Sequence, residues 1–199
     1  KTREAGLVPC REGCPAGIDI PRYIRFIREG NYSAATAVIR EKAPFPHVLG
    51  YVCTHPCETE CKRKYLNEPI AIRNLKRYAA AKDDGSWRQR RVLRSASGKR
   101  VAVIGSGPAG LTAAYYLGGI GHLVTIFEAC DKAGGQLRFG IPKHRLPREV
   151  VDSEIENILT DNITIQTNSR IENAPVLLEQ GFDAVLAAMG THRGVKLPV

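Results

Sequence analysis

Five of the six cysteines fall within residues 10–61, as Cys10-x3-Cys14 and, about forty residues later, Cys53-x3-Cys57-x3-Cys61. So many thiols in so short a stretch point to metal ligation rather than disulfides, given that the chain also carries a dinucleotide signature and shows no signal-peptide pattern. Structural zinc usually takes C-x2-C knuckles or Cys/His mixtures. Iron–sulfur clusters take four thiolates at varied spacing, often with a proline after one ligand. Here every spacing is x3 and Pro15 follows Cys14, so an iron–sulfur centre is favoured, with zinc second and unligated core thiols third. His55, between Cys53 and Cys57, could replace a thiolate but reads better as a hydrogen-bonding residue in a proline-flanked turn. Cys130 stands apart as an ordinary buried or loop thiol.

The second constellation is Gly105-Ser106-Gly107-Pro108-Ala109-Gly110, preceded by the apolar run Val101 to Ile104 and followed by the helix formers Leu111 to Leu117. The spacing predicts a buried parallel strand, a glycine turn and a helix. Gly105 permits the tight turn, Gly107 lets a pyrophosphate approach the backbone, and Gly110 lets helix and strand pack closely. The helix start offers unpaired N–H groups and a positive dipole end to phosphates. A second strand, Leu123 to Phe127, ends at Glu128, whose carboxylate can accept hydrogen bonds from a ribose diol.

These residues need elements to hold them. Residues 1–20 read as irregular around Cys10 and Cys14, and Pro21 opens a helix with apolar Tyr23, Ile24, Phe26 and Ile27. A second helix runs from Tyr32 to near Ala43 and stops at Pro44 and Pro46, and a third runs from about Pro69 to Lys82. Residues 1–82 are thus expected to form an α-helical domain tied together at its thiols, and the polar, basic residues 83–99 a linker. Residues 100–199 are expected to form the first part of an α/β Rossmann-like domain. In it the Gly134-Gly135-Gln136-Leu137, Gly140-Ile141-Pro142 and Arg145-Leu146-Pro147 stretches are loops, Val150 to Leu159 is the face of a helix, Ile163 to Gln166 is a strand, and Asp183 to Ala188 is a buried strand. The sheet is expected to be completed by something beyond Val199 or by another chain.

Of 29 Lys and Arg residues, 21 lie in residues 1–100 against ten Asp and Glu there, while residues 101–199 hold eight against ten. The basicity therefore belongs to the first half. Aromatics make up only 7% and no stacking platform is evident, which argues against a nucleic-acid partner. No apolar run is long enough to span a bilayer, so the cytosol is the expected compartment.

Taken in order, Cys10-x3-Cys14-Pro15, Ile18-Asp19-Ile20-Pro21, Gly50-Tyr51-Val52-Cys53, Ile70-Ala71-Ile72 and Gly105 to Leu111 resemble the small (β) subunit of NADPH-dependent glutamate synthase. They resemble equally the N-terminal part of dihydropyrimidine dehydrogenase and related flavin subunits of electron-transfer complexes. The resemblance covers essentially the whole chain. It implies an α-helical iron–sulfur domain followed by an FAD-binding domain, with an NAD(P)H-binding domain beyond residue 199. By similarity, Gly105, Gly107, Pro108, Ala109 and Gly110 would face the FAD pyrophosphate and Glu128 its ribose. Gly135, Gln136, Arg145 and Ile171 would line the cofactor further along, and Gly190 and Thr191 would close over it. Relatives with two clusters carry an upstream C-x2-C whose positions correspond to Thr2 and Ala5, and at the position of Lys76 they can use a Gln or Glu ligand. Thr2 and Ala5 cannot replace thiolates, and an ammonium cannot ligate unless deprotonated. One 4Fe-4S cluster, drawing four ligands from Cys10, Cys14, Cys53, Cys57 and Cys61, is the expected complement.

The function implied is an electron-transfer module. FAD would take a hydride from NAD(P)H, and the cluster would pass single electrons to a protein partner subunit. The cofactors do that chemistry, so no acid–base side chain is expected. Two alternatives remain beside it. One is the glutamate synthase small subunit proper. The other is a non-catalytic, zinc-stapled interaction domain fused to a nucleotide-sensing fold.

Overall fold

Prolines and short polar side chains decide where the helices of the first half begin. The computed structural model describes residues 8–91 and 93–191, apart from the side chain of residue 90, and divides between residues 91 and 92 into two units. In the first, α1 (Pro9–Glu12) is a single turn carrying Cys10. The helix α2 (Ile20–Arg28) is capped by Asp19, whose carboxylate accepts the Arg22 N–H at 3.2 Å, and α3 (Tyr32–Arg40) by Asn31, which accepts the Ala34 N–H at 3.0 Å. Proline again stands in the first turn of α4 (Pro46–Val52) and of α5 (Pro56–Thr59). A 3-10 turn (Lys62–Tyr65), α6 (Ile72–Ala81) and α7 (Trp87–Arg90) complete the unit.

Several short elements were not anticipated, α1 and α4 among them. The α1 turn forms within the stretch read as irregular, and Pro46, expected only to stop a helix, also starts one. A proline is well placed in a first helical turn because its missing N–H has no intrahelical acceptor there. Conversely α6 begins at Ile72 rather than near Pro69, because the Ile72 N–H closes a tight turn onto the Ile70 carbonyl at 2.8 Å. Ile18, Ile20, Tyr23, Val38, Ile39, Ile72 and Ala79 form the core, and Cys57 belongs to it. The junction between the units falls inside the expected linker. On its first side Trp87 is buried, its backbone N–H donating to Ser33 Oγ at 2.7 Å and the Arg40 guanidinium standing 4.4 Å from its ring centre. On the other, Arg94 and Ser97 donate backbone N–H groups to Gly119 and Gly121.

The second unit is a parallel four-stranded sheet in the order β3-β2-β1-β4. Its strands are β1 (Arg100–Ile104), β2 (Leu123–Phe127), β3 (Ile163–Gln166) and β4 (Ala184–Ala187). Val101 faces Val124 and Ala184 in register, so β1 is flanked on both sides and its four apolar residues are buried. Helix α8 (Pro108–Gly119) returns from β1 to β2, and α10 (Arg148–Ile158) buries Val150, Val151, Ile155 and Ile158. Short helices α9 (Gln136–Phe139) and α11 (Pro175–Glu179) lie in the connections; the first falls where only loop was expected.

One expectation fails. The strand read as buried is largely exposed: Ala184 and Ala187 face solvent and Leu186 is 39% exposed. Among the described residues β4 pairs only with β1 and is the edge strand of the sheet, so its apolar side chains are left uncovered. No helix among the described residues is long and apolar enough to cross a membrane.

Candidate functional site

The thiols of the two sequence groups meet in the helical unit. Helix α1 packs against α5, which sets the Cys10–Cys14 segment beside Cys57. Cys57 and Cys61 are buried, while Cys10, Cys14 and Cys53 are half-buried. Tyr23, buried beside them, donates its hydroxyl to the Ile72 carbonyl at 3.2 Å and thereby ties α2 to the start of α6. Burial pushes the Cys57 thiol up to about 11, opposed by the Lys76 ammonium and reinforced by Cys14 and Cys53. Burial also raises Cys10, with Cys61 adding to the rise. Cys10 and Cys61 line a cavity of about 480 Å³ with Ile20, Ile24 and Ile72.

The Cys53–Glu58 turn is held by its own polar groups. Cys53 Sγ accepts the His55 N–H at 3.3 Å, and His55, with a left-handed φ of 48°, places Nδ1 3.1 Å from Glu58 Oε2. The other Glu58 oxygen accepts the Arg73 N–H at 2.8 Å, and the Arg73 guanidinium donates to the Cys53 carbonyl at 3.3 Å. His55 is therefore engaged in hydrogen bonds. Among the described residues no three His, Cys, Asp or Glu side chains close around a point where a single ion could sit. In an iron–sulfur cluster each thiolate takes its own iron, so the ligands stand farther apart. Five thiols converging on a largely buried site fit that donor set.

In the second unit the carboxyl ends of β1, β2 and β4 come together, which is where open parallel sheets bind ligands. Gly105 has φ +104° and lies so close to β4's exit that an added Cβ would stand 2.5 Å from the Ala188 carbonyl oxygen. At Gly110 a Cβ would run into the Gly105 carbonyl, so the start of α8 sits directly on the turn. Gly107 is different: a Cβ there would meet nothing within 4 Å. The open space lies at the start of α8, which has no side-chain cap, so its first N–H groups are left for an anion. Gly135 closes the other side, at φ +49°, with a Cβ position 2.7 Å from Gly107 Cα.

Glu128 is buried at the end of β2. Its Oε2 accepts from Ser106 N–H at 2.9 Å and from the Ser106 hydroxyl, and its Oε1 accepts from Cys130 N–H at 2.9 Å. Burial pushes this carboxyl up, but the bonds from Ser106 and Cys130 together outweigh it and hold it below the ordinary value. Ser106 also accepts the Gly134 N–H at 3.1 Å, joining the glycine turn to the Gly134-Gly135 loop. This fully buried serine was not singled out in the sequence. The signal was its place between two turn glycines, where its hydroxyl and amide both reach the acid closing the next strand.

Around this edge the structure gathers Gly105, Gly107, Gly110, Glu128 and Gly135, and Gln136 Nε2 reaches the Thr191 carbonyl at 3.4 Å. Pro108 and Ala109 are exposed in the first turn of α8, and Gly190, φ +63°, precedes Thr191. Two expected residues lie differently. Arg145 is exposed in the turn before α10, its backbone N–H on the Pro142 carbonyl at 2.9 Å. Ile171 packs on the apolar cluster of Ile104, Phe127, Leu177 and Phe182. Thr2 and Ala5 lie outside the described residues.

Comparison with known proteins agrees with both halves. Residues 5–86 match the family described as dihydropyrimidine dehydrogenase domain II, 4Fe-4S cluster, and residues 103–164 match the NAD(P)-binding Rossmann-like domain. The chain is a 4Fe-4S cluster domain followed by a Rossmann-like domain. It is 42% identical to NADP(+)-dependent formate dehydrogenase subunit beta of Moorella thermoacetica, over 96% of this chain and 30% of that protein. It is 40% identical to NADPH-Fe(3+) oxidoreductase subunit beta of Geobacter sulfurreducens, over 96% and 29%. To the glutamate synthase [NADPH] small chain of Mycobacterium tuberculosis it is 33% identical, over 98% and 41%. The 4Fe-4S and Rossmann-like domains thus span well under half the length of these relatives.

Proposed function

We propose that this chain is the FAD and iron–sulfur portion of an NAD(P)H-linked oxidoreductase subunit that passes electrons to a protein partner. Cys57 with Cys14 and Cys53, joined by one of Cys10 and Cys61, would hold a 4Fe-4S cluster, which when bound supplies one-electron transfer. The turn from Gly105 to Gly110 would hold the pyrophosphate of FAD, which supplies the exchange between hydride and single electrons. The residues themselves bind, orient and exclude water; none is asked to move a proton.

The observation that carries the choice against a 2′-phosphorylated dinucleotide is Glu128. A buried carboxylate held ionised at the end of β2 would accept hydrogen bonds from a free ribose diol and repel a 2′-phosphate. The relatives are named for NADP(H), yet a 2′-phosphorylated nucleotide does not suit this edge. FAD does, and the paired loop Gly134-Gly135 against Gly107 supports it. The family match to an NAD(P)-binding domain favours a second reading, in which the same turn takes NAD(H).

The test is an anaerobic absorption spectrum with and without dithionite, combined with iron, sulfide, zinc and flavin content per chain. Flavin bands with a reducible broad shoulder and about four irons are expected. Iron without flavin, together with NADH binding that Glu128→Ala abolishes, would favour the second reading. A colourless protein containing one zinc would refute both.

A further inference from the structure

Lys76 is a lysine out of place. It is 6% exposed, near the middle of α6, and among the described residues it has no carboxylate within ion-pair distance. A lysine side chain so far withdrawn from water is rare unless it is paired. Its position on the helix shows what it faces. Ile72 and Arg73 stand four and three residues earlier, on the same side of α6. Ile72 accepts the Tyr23 hydroxyl from among the thiols, and Arg73 is bonded to Glu58 and to the Cys53 carbonyl. Ile72 and Ala79, one turn either side of Lys76, pack in one apolar cluster with Cys57, so Lys76 lies on the face of α6 turned toward that thiol. Glu58, on the α5 turn that carries Cys57, is bonded to His55 and Arg73.

We infer that Lys76 is the built-in counter-ion of the iron–sulfur centre, holding its reduction potential up by stabilising the negative charge that reduction adds. The inference rests on the cluster reading above. Thiolates and cluster together are anionic, and one-electron reduction by the reduced flavin adds one negative charge with no bond made or broken. A fixed ammonium at close range in a poorly hydrated site lowers the energy of the more negative state more than that of the less negative one. Lys76 is therefore a positioning residue for charge. It is not a ligand, since an ammonium has no lone pair to give. The same attraction removes the problem of the unpaired lysine, because the charge that balances it arrives with the cluster.

The experiment is an EPR-monitored redox titration of the anaerobically purified protein, parent against Lys76→Leu and Lys76→Arg, with iron counted per chain in each. In Lys76→Leu, which removes the charge without offering a ligand atom, the expected result is unchanged iron and a lower midpoint. The equilibrium constant for reduction should fall on the order of tenfold or more, about 59 mV for one electron. Lys76→Arg should stay near the parent. Unchanged iron with an unchanged midpoint in Lys76→Leu would overturn the inference. Where Lys76→Leu cannot keep its iron, Lys76→Arg decides: iron retained at the parental midpoint supports a requirement for charge. Iron lost from both, with the helical circular dichroism intact, refutes it in favour of a specific need for the amine. Absence of any iron–sulfur signal in the parent brings down the cluster reading itself, an outcome distinct from a midpoint that fails to move.

Discussion

Alanine substitution at two glycines of one turn should have opposite consequences. At Gly110 the added methyl runs into the Gly105 carbonyl and crowds Val103, so helix, turn and strand must separate. Overpacking of a site that cannot yield costs about 3 kcal/mol or more. For a domain of this size that is a fall in Tm of roughly 10 °C or more. At Gly107 the methyl meets nothing within 4 Å, and the backbone there, φ −70° and ψ −179°, is extended conformation open to any residue. Gly107→Ala should leave stability within about 1 kcal/mol, slightly raised by the stiffer unfolded chain. It should instead block close approach of a pyrophosphate. Loss of one charge-assisted hydrogen bond to the start of α8 is worth about 1.5–3 kcal/mol, or roughly ten- to a hundredfold in affinity. The assay pairs thermal unfolding with equilibrium flavin binding for both variants. A Gly107→Ala protein that binds flavin like the parent would show that the pyrophosphate does not lie on this turn. A Gly110→Ala protein with unaltered Tm would refute the packing argument.

Cys57→Ser, at the centre of the thiol group, should cut iron per chain more than Cys61→Ser or Cys10→Ser does, as measured by metal analysis of anaerobic preparations; equal iron in all three would contradict the grouping around Cys57. Glu128 is held below its ordinary carboxyl value, so the stability it contributes is present above about pH 4.5 and lost as pH falls through its lower folded value. Glu128→Gln should therefore cost about 1–3 kcal/mol at neutral pH and flatten the acid limb of the stability profile; an unchanged acid limb in pH-dependent denaturation would count against it. Asp19→Ala removes the cap of α2 and should cost about 1 kcal/mol in chemical denaturation, with Asp19→Asn close to the parent.

Much of this is legible in the sequence. The glycine turn, its flanking strands and Glu128 are local in sequence, because one strand, one turn and one helix suffice to write the pattern. The helices capped by Asp19 and Asn31 were legible for the same reason. The turn around Cys10 and the helix from Pro46 were missed, since a proline announces an end and a beginning with the same residue. The exposure of β4 was missed because an apolar run carries no information about which neighbours flank it.

The sequence by itself determined the order of the two domains, the thiol inventory and the glycine turn, all of which depend on residue type and short-range spacing. Only the tertiary structure decided that the two groups of thiols meet, that Ser106 locks Glu128 to the turn, and that Lys76 is buried on the face of α6 that looks toward Cys57. Those facts rest on contacts between residues about twenty or more apart along the chain, and such contacts are fixed by how helices and strands pack.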